Sequence, residues 1–186
     1  DNYDLDRAIA DDETGFQGQS AAPYRKEAWA FMLAGGGLFS HLDYSFTCRH
    51  PEGTAVIEGK TPGYGGADLR QQLAFLKSTL QDIEVWRMRP CNDILLRDSN
   101  DVPAQAMADP ERAYLIYFSE ACTRARHELS LPPGAYRIEW IDPVAGRVFQ
   151  EKTRTHSSET LLVSAPRHTD DWALRITALQ DTPRLG

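Results

Sequence analysis

The chain has 186 residues, 41% of them hydrophobic and 25% charged, and carries a net charge of −7. Such proportions belong to a globular chain of one medium or two small domains with a sizeable buried core. The acidic balance and the absence of any Lys/Arg run argue against a nucleic-acid partner, and no stretch approaches the roughly 18 apolar residues of a membrane helix. The three cysteines, Cys48, Cys91 and Cys122, are odd in number and widely spaced, with no CxxC. They support neither a disulfide framework nor a zinc knuckle, so free, mostly buried thiols are expected. The compartment stays open.

In chain order, Ala8, Ile9 and Ala10 predict a short strand that ends in Asp11, Asp12 and Glu13. Ser20 suits a helix cap and Pro23 a first turn, and Tyr24, Ala28, Phe31 and Met32 follow at helical spacing. Gly35, Gly36 and Gly37 mark the stop, because glycine tolerates the left-handed conformation found there. Residues 38–46 read as a second, buried strand. Asp68 opens a second helix with Leu69, Leu73, Leu76, Leu80 and Ile83 as its apolar stripe. Strand, helix, strand, helix is the pattern of a parallel sheet covered by helices. Two strands cannot complete such a sheet, so further strands are expected from outside this chain.

Near residue 96 the pattern changes to period-two strands. Residues 112–118 are apolar on both faces. Tyr136, Ile138 and Trp140 alternate with Arg137 and Glu139, and Trp172, Leu174 and Ile176 repeat the alternation. Weaker strands are expected at 127–131, 147–155 and 160–164, separated by Pro/Gly turns at 131–134 and 142–146. The expected fold is therefore α/β plus all-β, divided into 1–96 and 97–186, the second part being an antiparallel β-sandwich.

Asp11, Asp12 and Glu13 form the spot richest in chemistry. Three acids at a strand end are costly unless solvated, cation-bound or functional, and in α/β barrels catalytic groups sit at the C-terminal ends of strands. His41, Asp43 and Ser45 alternate with Leu42 and Tyr44, so the first three could share a face. His41 and Asp43 with Glu13 make a weak metal pattern, and no metal or cofactor is expected. A Ser-His-Asp triad lacks its G-x-S-x-G turn, and the three consecutive glycines lack the Lys of a phosphate loop. Trp140 and Trp172 fit a sandwich core, with a sugar platform as the alternative.

The stretches 11–16, 25–29, 35–39 and 42–47, the helix opening at 68–73, Trp86-Arg87-Met88-Arg89-Pro90 and the final 171–176 together resemble the last third of a bacterial glycoside-hydrolase-like TIM barrel. That family carries a small C-terminal β-domain often labelled collagen-binding. The resemblance implies that the chain holds the last βα units of a (β/α)8 barrel, strands seven and eight, followed by the β-sandwich. It places Glu13 as the nucleophile of a retaining glycoside hydrolase. His41, Asp43 and Tyr44 then bind sugar hydroxyls or orient Glu13, while Arg25 and Trp29 serve helix packing. Strands one to six, and the acid/base Glu on the fourth, have no counterpart here. The implied partners are a carbohydrate substrate and the remaining barrel segment, on the same protein or a companion chain, with a secreted or periplasmic setting favoured. The rival expectation is a non-catalytic carbohydrate-binding or protein-interaction module built on the β-sandwich.

Overall fold

The computed structural model describes residues 7–98, 102–110, 112–121 and 126–179. Most of its regular structure is β-sheet, with two α-helices. The chain divides into two compact units, Asp1–Asp82 and Ile83–Gly186. This division precedes the change of pattern at residue 96. Residues 83–98 contribute strands to the second unit, which places them there.

In the first unit, β1 (Ala10–Thr14), α1 (Ala21–Leu33) and β2 (Leu38–His41) form a βαβ unit, with β1 and β2 paired in parallel. The acids therefore lie inside β1 rather than beyond it. Ser20 stands at the N-cap of α1 with extended backbone, but its side chain makes no capping hydrogen bond. The helix stop follows the glycine expectation closely. Gly35 has φ +95°, and the N–H groups of Gly35 and Gly36 donate to Met32 O and Phe31 O at 3.1 and 3.0 Å. This is the double bond of a Schellman ending. The buried face of α1 is Tyr24, Arg25, Ala28, Trp29 and Leu33; Phe31 and Met32 are only half-buried. The second helix, α2 (Ala67–Asp82), has Asp68 in its first turn and buries Leu69, Leu76 and Leu80. Arg25 reaches across to it and donates to Gln72 Oε1 at 3.1 Å.

Among its described residues, the regular structure of the second unit is strand, apart from the 3-10 turns Val85–Arg87 and Asn92–Ile94. Its strands are β3 (Arg89–Pro90), β4 (Leu95–Asp98), β5 (Ala104–Asp109), β6 (Ala113–Phe118), β7 (Arg126–Ser130), β8 (Gly134–Asp142), β9 (Arg147–His156), β10 (Thr160–Ser164) and β11 (Trp172–Ala178). They form a six-stranded sheet in the order β3-β5-β6-β11-β8-β9 and a three-stranded sheet in the order β10-β7-β4, both antiparallel. One core joins the two sheets. Ile116, Phe118, Ile138, Trp140, Trp172 and Leu174 meet Leu129, Leu161 and Val163 there. The central strand β6 is buried at every residue.

The expectation of mostly buried thiols needs correction. Cys48 is exposed and Cys91 half-exposed, both free, while Cys122 lies outside the described residues. Cys48 falls in a loop after β2 that forms no core, so nothing covers its thiol. Among the described residues no helix is long and apolar enough to cross a membrane.

Candidate active site

The end of β1 is shaped by an irregularity. Asp11 pairs with Phe39 and Thr14 with His41, so Asp12 and Glu13 together stand opposite Ser40 alone. This is the two-against-one count of a β-bulge, a device that re-aims side chains. Paired residues of neighbouring strands share a face. Phe39 and His41 contact the α1 aromatics Phe31 and Tyr24, and the hydroxyl of buried Thr14 donates to Glu27 of α1. Asp11 is half-buried with this helix-side set, whereas Asp12 and Glu13 are exposed. On the opposite face of the small sheet Leu38 remains 51% exposed.

His41 lies on the helix side. Its ring meets Tyr24 edge-on, and neither of its shielded nitrogens has a hydrogen-bond partner among the described residues. Burial lowers its pKa, partly offset by the charge of Asp43.

Asp43 is the centre of a polar knot. Its Oδ1 accepts from Ser45 N–H at 2.9 Å, Ser45 Oγ–H at 2.6 Å and Gly66 N–H at 3.1 Å. Its Oδ2 accepts from Arg70 Nη1 at 2.7 Å. Burial pushes its carboxyl up, but the bonds from Ser45, Arg70 and Gly66 outweigh that and hold it below the usual range. Arg70 also donates to Ser45 Oγ and Gly53 O, each at 2.9 Å, and its guanidinium lies 5.3 Å from the centre of the Phe46 ring. Ser45 is buried. With its acceptor positions filled, Asp43 anchors the loop between β2 and α2. Tyr44 is half-buried against Gly63 of that loop.

The structure thus brings Asp43, Ser45 and Tyr44 together and sets His41 against the helix. It does not gather His41, Asp43 and Glu13: among the described residues no three His, Cys, Asp or Glu side chains form a metal-holding group. Three features went unread in the sequence. One is Arg70, whose only signal was its place in the opening turn of α2. Another is the glycine set Gly63, Gly65 and Gly66, a Gly-rich run just before that turn. The third is Phe16, 57% exposed three residues past Glu13. In the second unit Trp140 and Trp172 are 2% and 1% exposed, so neither offers a sugar platform.

The chain is similar to a solved glycoside hydrolase at 12% identity and TM-score 0.60, covering 87% of this chain and 38% of that one. It is likewise similar to a glycoside hydrolase family 5 protein from Bacteroides vulgatus at 14% identity and TM-score 0.57, covering 88% and 38%. At these identities the likeness is one of fold, and the chain spans well under half the length of either neighbour. No protein-family model matches the chain, and no curated protein matches it.

Proposed function

We propose that this chain is the C-terminal part of a retaining glycoside hydrolase, with β1 and β2 as the last two strands of a (β/α)8 barrel and the second unit as its β-sandwich. The observation that carries the reading is the exposed face of the β1–β2 sheet, where Ala10, Leu38 and Ser40 lie open. A parallel pair is normally buried on both faces, yet this face leaves Leu38 half in solvent beside a bulge that exposes Glu13. In a closed barrel that face is the interior, and Glu13 stands at its mouth.

Retaining hydrolysis uses two carboxyl groups about 5–5.5 Å apart, one as nucleophile and one as acid/base. Glu13 attacks the anomeric carbon as a carboxylate while the glycosidic C–O bond breaks and the leaving oxygen takes a proton from the acid/base Glu, which belongs to a barrel strand outside this chain; that residue then takes a proton from the water that frees the sugar from Glu13. Asp11, on the helix side, has no part in the chemistry. Of the expected sugar-binding residues, Tyr44 stands nearest to that role. Asp43 contributes by holding its loop, and His41 by packing on α1. Phe16 supplies an exposed aromatic face of the kind sugar rings stack on.

The test is a glycoside-substrate screen on the protein that carries this chain, with Glu13→Gln and Asp11→Asn beside the parent. Glu13→Gln is expected to abolish turnover and keep glycan binding, since the amide retains shape but cannot attack. Asp11→Asn is expected to stay active. Full activity in Glu13→Gln would remove the assignment.

A further inference from the structure

Residues 42–66 connect β2 to α2 with almost no regular structure, only an isolated bridge between Thr47 and His50. Loops longer than about 12–15 residues without secondary structure are generally either disordered or functional. This one is tied down at several points. Asp43 and Arg70 grip both of its ends and its middle, through Ser45, Gly66 and Gly53. Its last segment, 61–66, is tied separately to the exit of β1. Gly18 N–H donates to Pro62 O at 3.2 Å, and Gln19 Nε2 donates to Gly63 O at 2.7 Å and to Thr61 O.

Close packing locks the same two segments. A Cβ placed on Gly63 would collide with Gly15 O and the Tyr44 ring, and one on Gly65 would collide with Asp43 Oδ1. Gly66 has φ +114°, a conformation that L side chains rarely adopt. The exit of β1 is itself fixed on the far side, where Gln17 N–H donates to Tyr24 Oη at 2.9 Å. A chain of direct bonds thus runs from Arg70 through Asp43 and Gly66 to segment 61–66, and from there to the residues that follow Glu13.

We propose that Arg70 is a positioning residue for substrate binding: through Asp43 it holds segment 61–66 against the exit of β1, so that this loop stands as a pre-formed wall beside Glu13. The inference rests on the glycoside hydrolase reading above and adds to it a determinant of substrate affinity that lies outside the reacting groups. A wall ordered in advance removes the cost of ordering the loop when sugar arrives. Loosening it therefore weakens binding rather than the chemical step.

The experiment compares the parent protein with Arg70→Lys, Gly63→Ala and, as a control on the exposed side of α2, Lys77→Met. Arg70→Lys keeps a cation for Asp43 but loses the second arm to Gly53. Gly63→Ala leaves the clamp intact and forces segment 61–66 away from Gly15. Two readouts are taken: amide hydrogen exchange over 15–19 and 61–66, and steady-state kinetics on the glycoside that the parent turns over. Faster exchange in both segments is expected for the first two variants, with KM raised about tenfold and kcat held within about threefold. Lys77→Met should match the parent in both. A merely structural loss would lower the active fraction, and so kcat, without moving KM. Unchanged exchange in Arg70→Lys overturns the clamp, and faster exchange with unchanged KM overturns the wall. A parent that turns over no glycoside overturns the enzyme reading itself, and the inference with it.

Discussion

The ring of His41 meets that of Tyr24 edge-on, with centroids 4.4 Å apart. The contact joins the last residue of β2 to the first buried residue of α1, and through the Tyr24 hydroxyl, which donates to Gly18 O at 2.8 Å, to the exit of β1.

The first prediction follows from that contact. Burial lowers the His41 pKa below 6.5, with Asp43 opposing. Between the folded pKa and 6.5 the unfolded chain binds a proton that the folded chain does not, so stability rises with pH across that window. This contribution is fully present above pH 6.5 and is lost as the pH falls below it. Denaturant midpoints measured at pH 8 and pH 5 should differ more for the parent than for His41→Gln. Equal differences would show that His41 is not the group responsible.

The second concerns the core of the β unit. Trp140 is almost fully buried and faces Leu174 across the β8–β11 pairing. Trp140→Ala should cost about 3–5 kcal/mol, through lost transfer energy and the cavity left behind. Urea unfolding followed by far-UV circular dichroism measures it. A cost below about 1 kcal/mol would mean that the ring is solvated in solution.

The third concerns the charge pair on the other face of the same strands. Arg175 holds Glu139 by two bonds, at 2.7 and 2.9 Å, with only 5% of the Glu139 side chain exposed. Arg175→Met leaves a buried carboxylate that keeps Arg137 at 3.5 Å as its partner among the described residues. A loss of about 3 kcal/mol is expected, and adding Glu139→Gln should recover part of it, because the cost lies in the unpaired charge. If the double variant is no more stable than the single one, the loss has another source.

The fourth concerns the open sheet. A two-stranded sheet is marginal by itself, and Leu38 and Leu42 stay 51% and 37% exposed. Amides of β1 and β2 in the isolated chain should exchange faster than those of β6 and β11. On the proposed barrel reading, they should slow when the chain is produced together with the strands that complete the barrel. Equal protection in the isolated chain would count against a missing set of strands.

The two helices were legible because each is encoded locally: the Gly35–Gly36 stop, the Asp68 opening and the leucine spacing act within a few residues of one another. The strongest strands, β6, β8 and β11, were legible for the same reason, their alternation being complete in one segment. Strand β5 was not, since Ala104, Ala106 and Ala108 carry little strand preference and are held by pairing with β6. β3 and β4 were missed as well, being short and fixed by partners distant in sequence.

The candidate site divides in the same way. The sequence alone marked the acids at 11–13 and the polar series at 41–45, because unusual residue types beside an apolar strand are visible without a fold. Only the tertiary structure decided their roles. The bulge in β1 is a matter of register against β2, and it separates exposed Glu13 from half-buried Asp11. The charged partner of Asp43 is Arg70, distant in the chain and brought adjacent where the first turn of α2 meets the residues that follow β2. Residue type and local spacing belong to the sequence, whereas which side chain fills an acceptor and which stays free depends on contacts between segments that the sequence holds far apart.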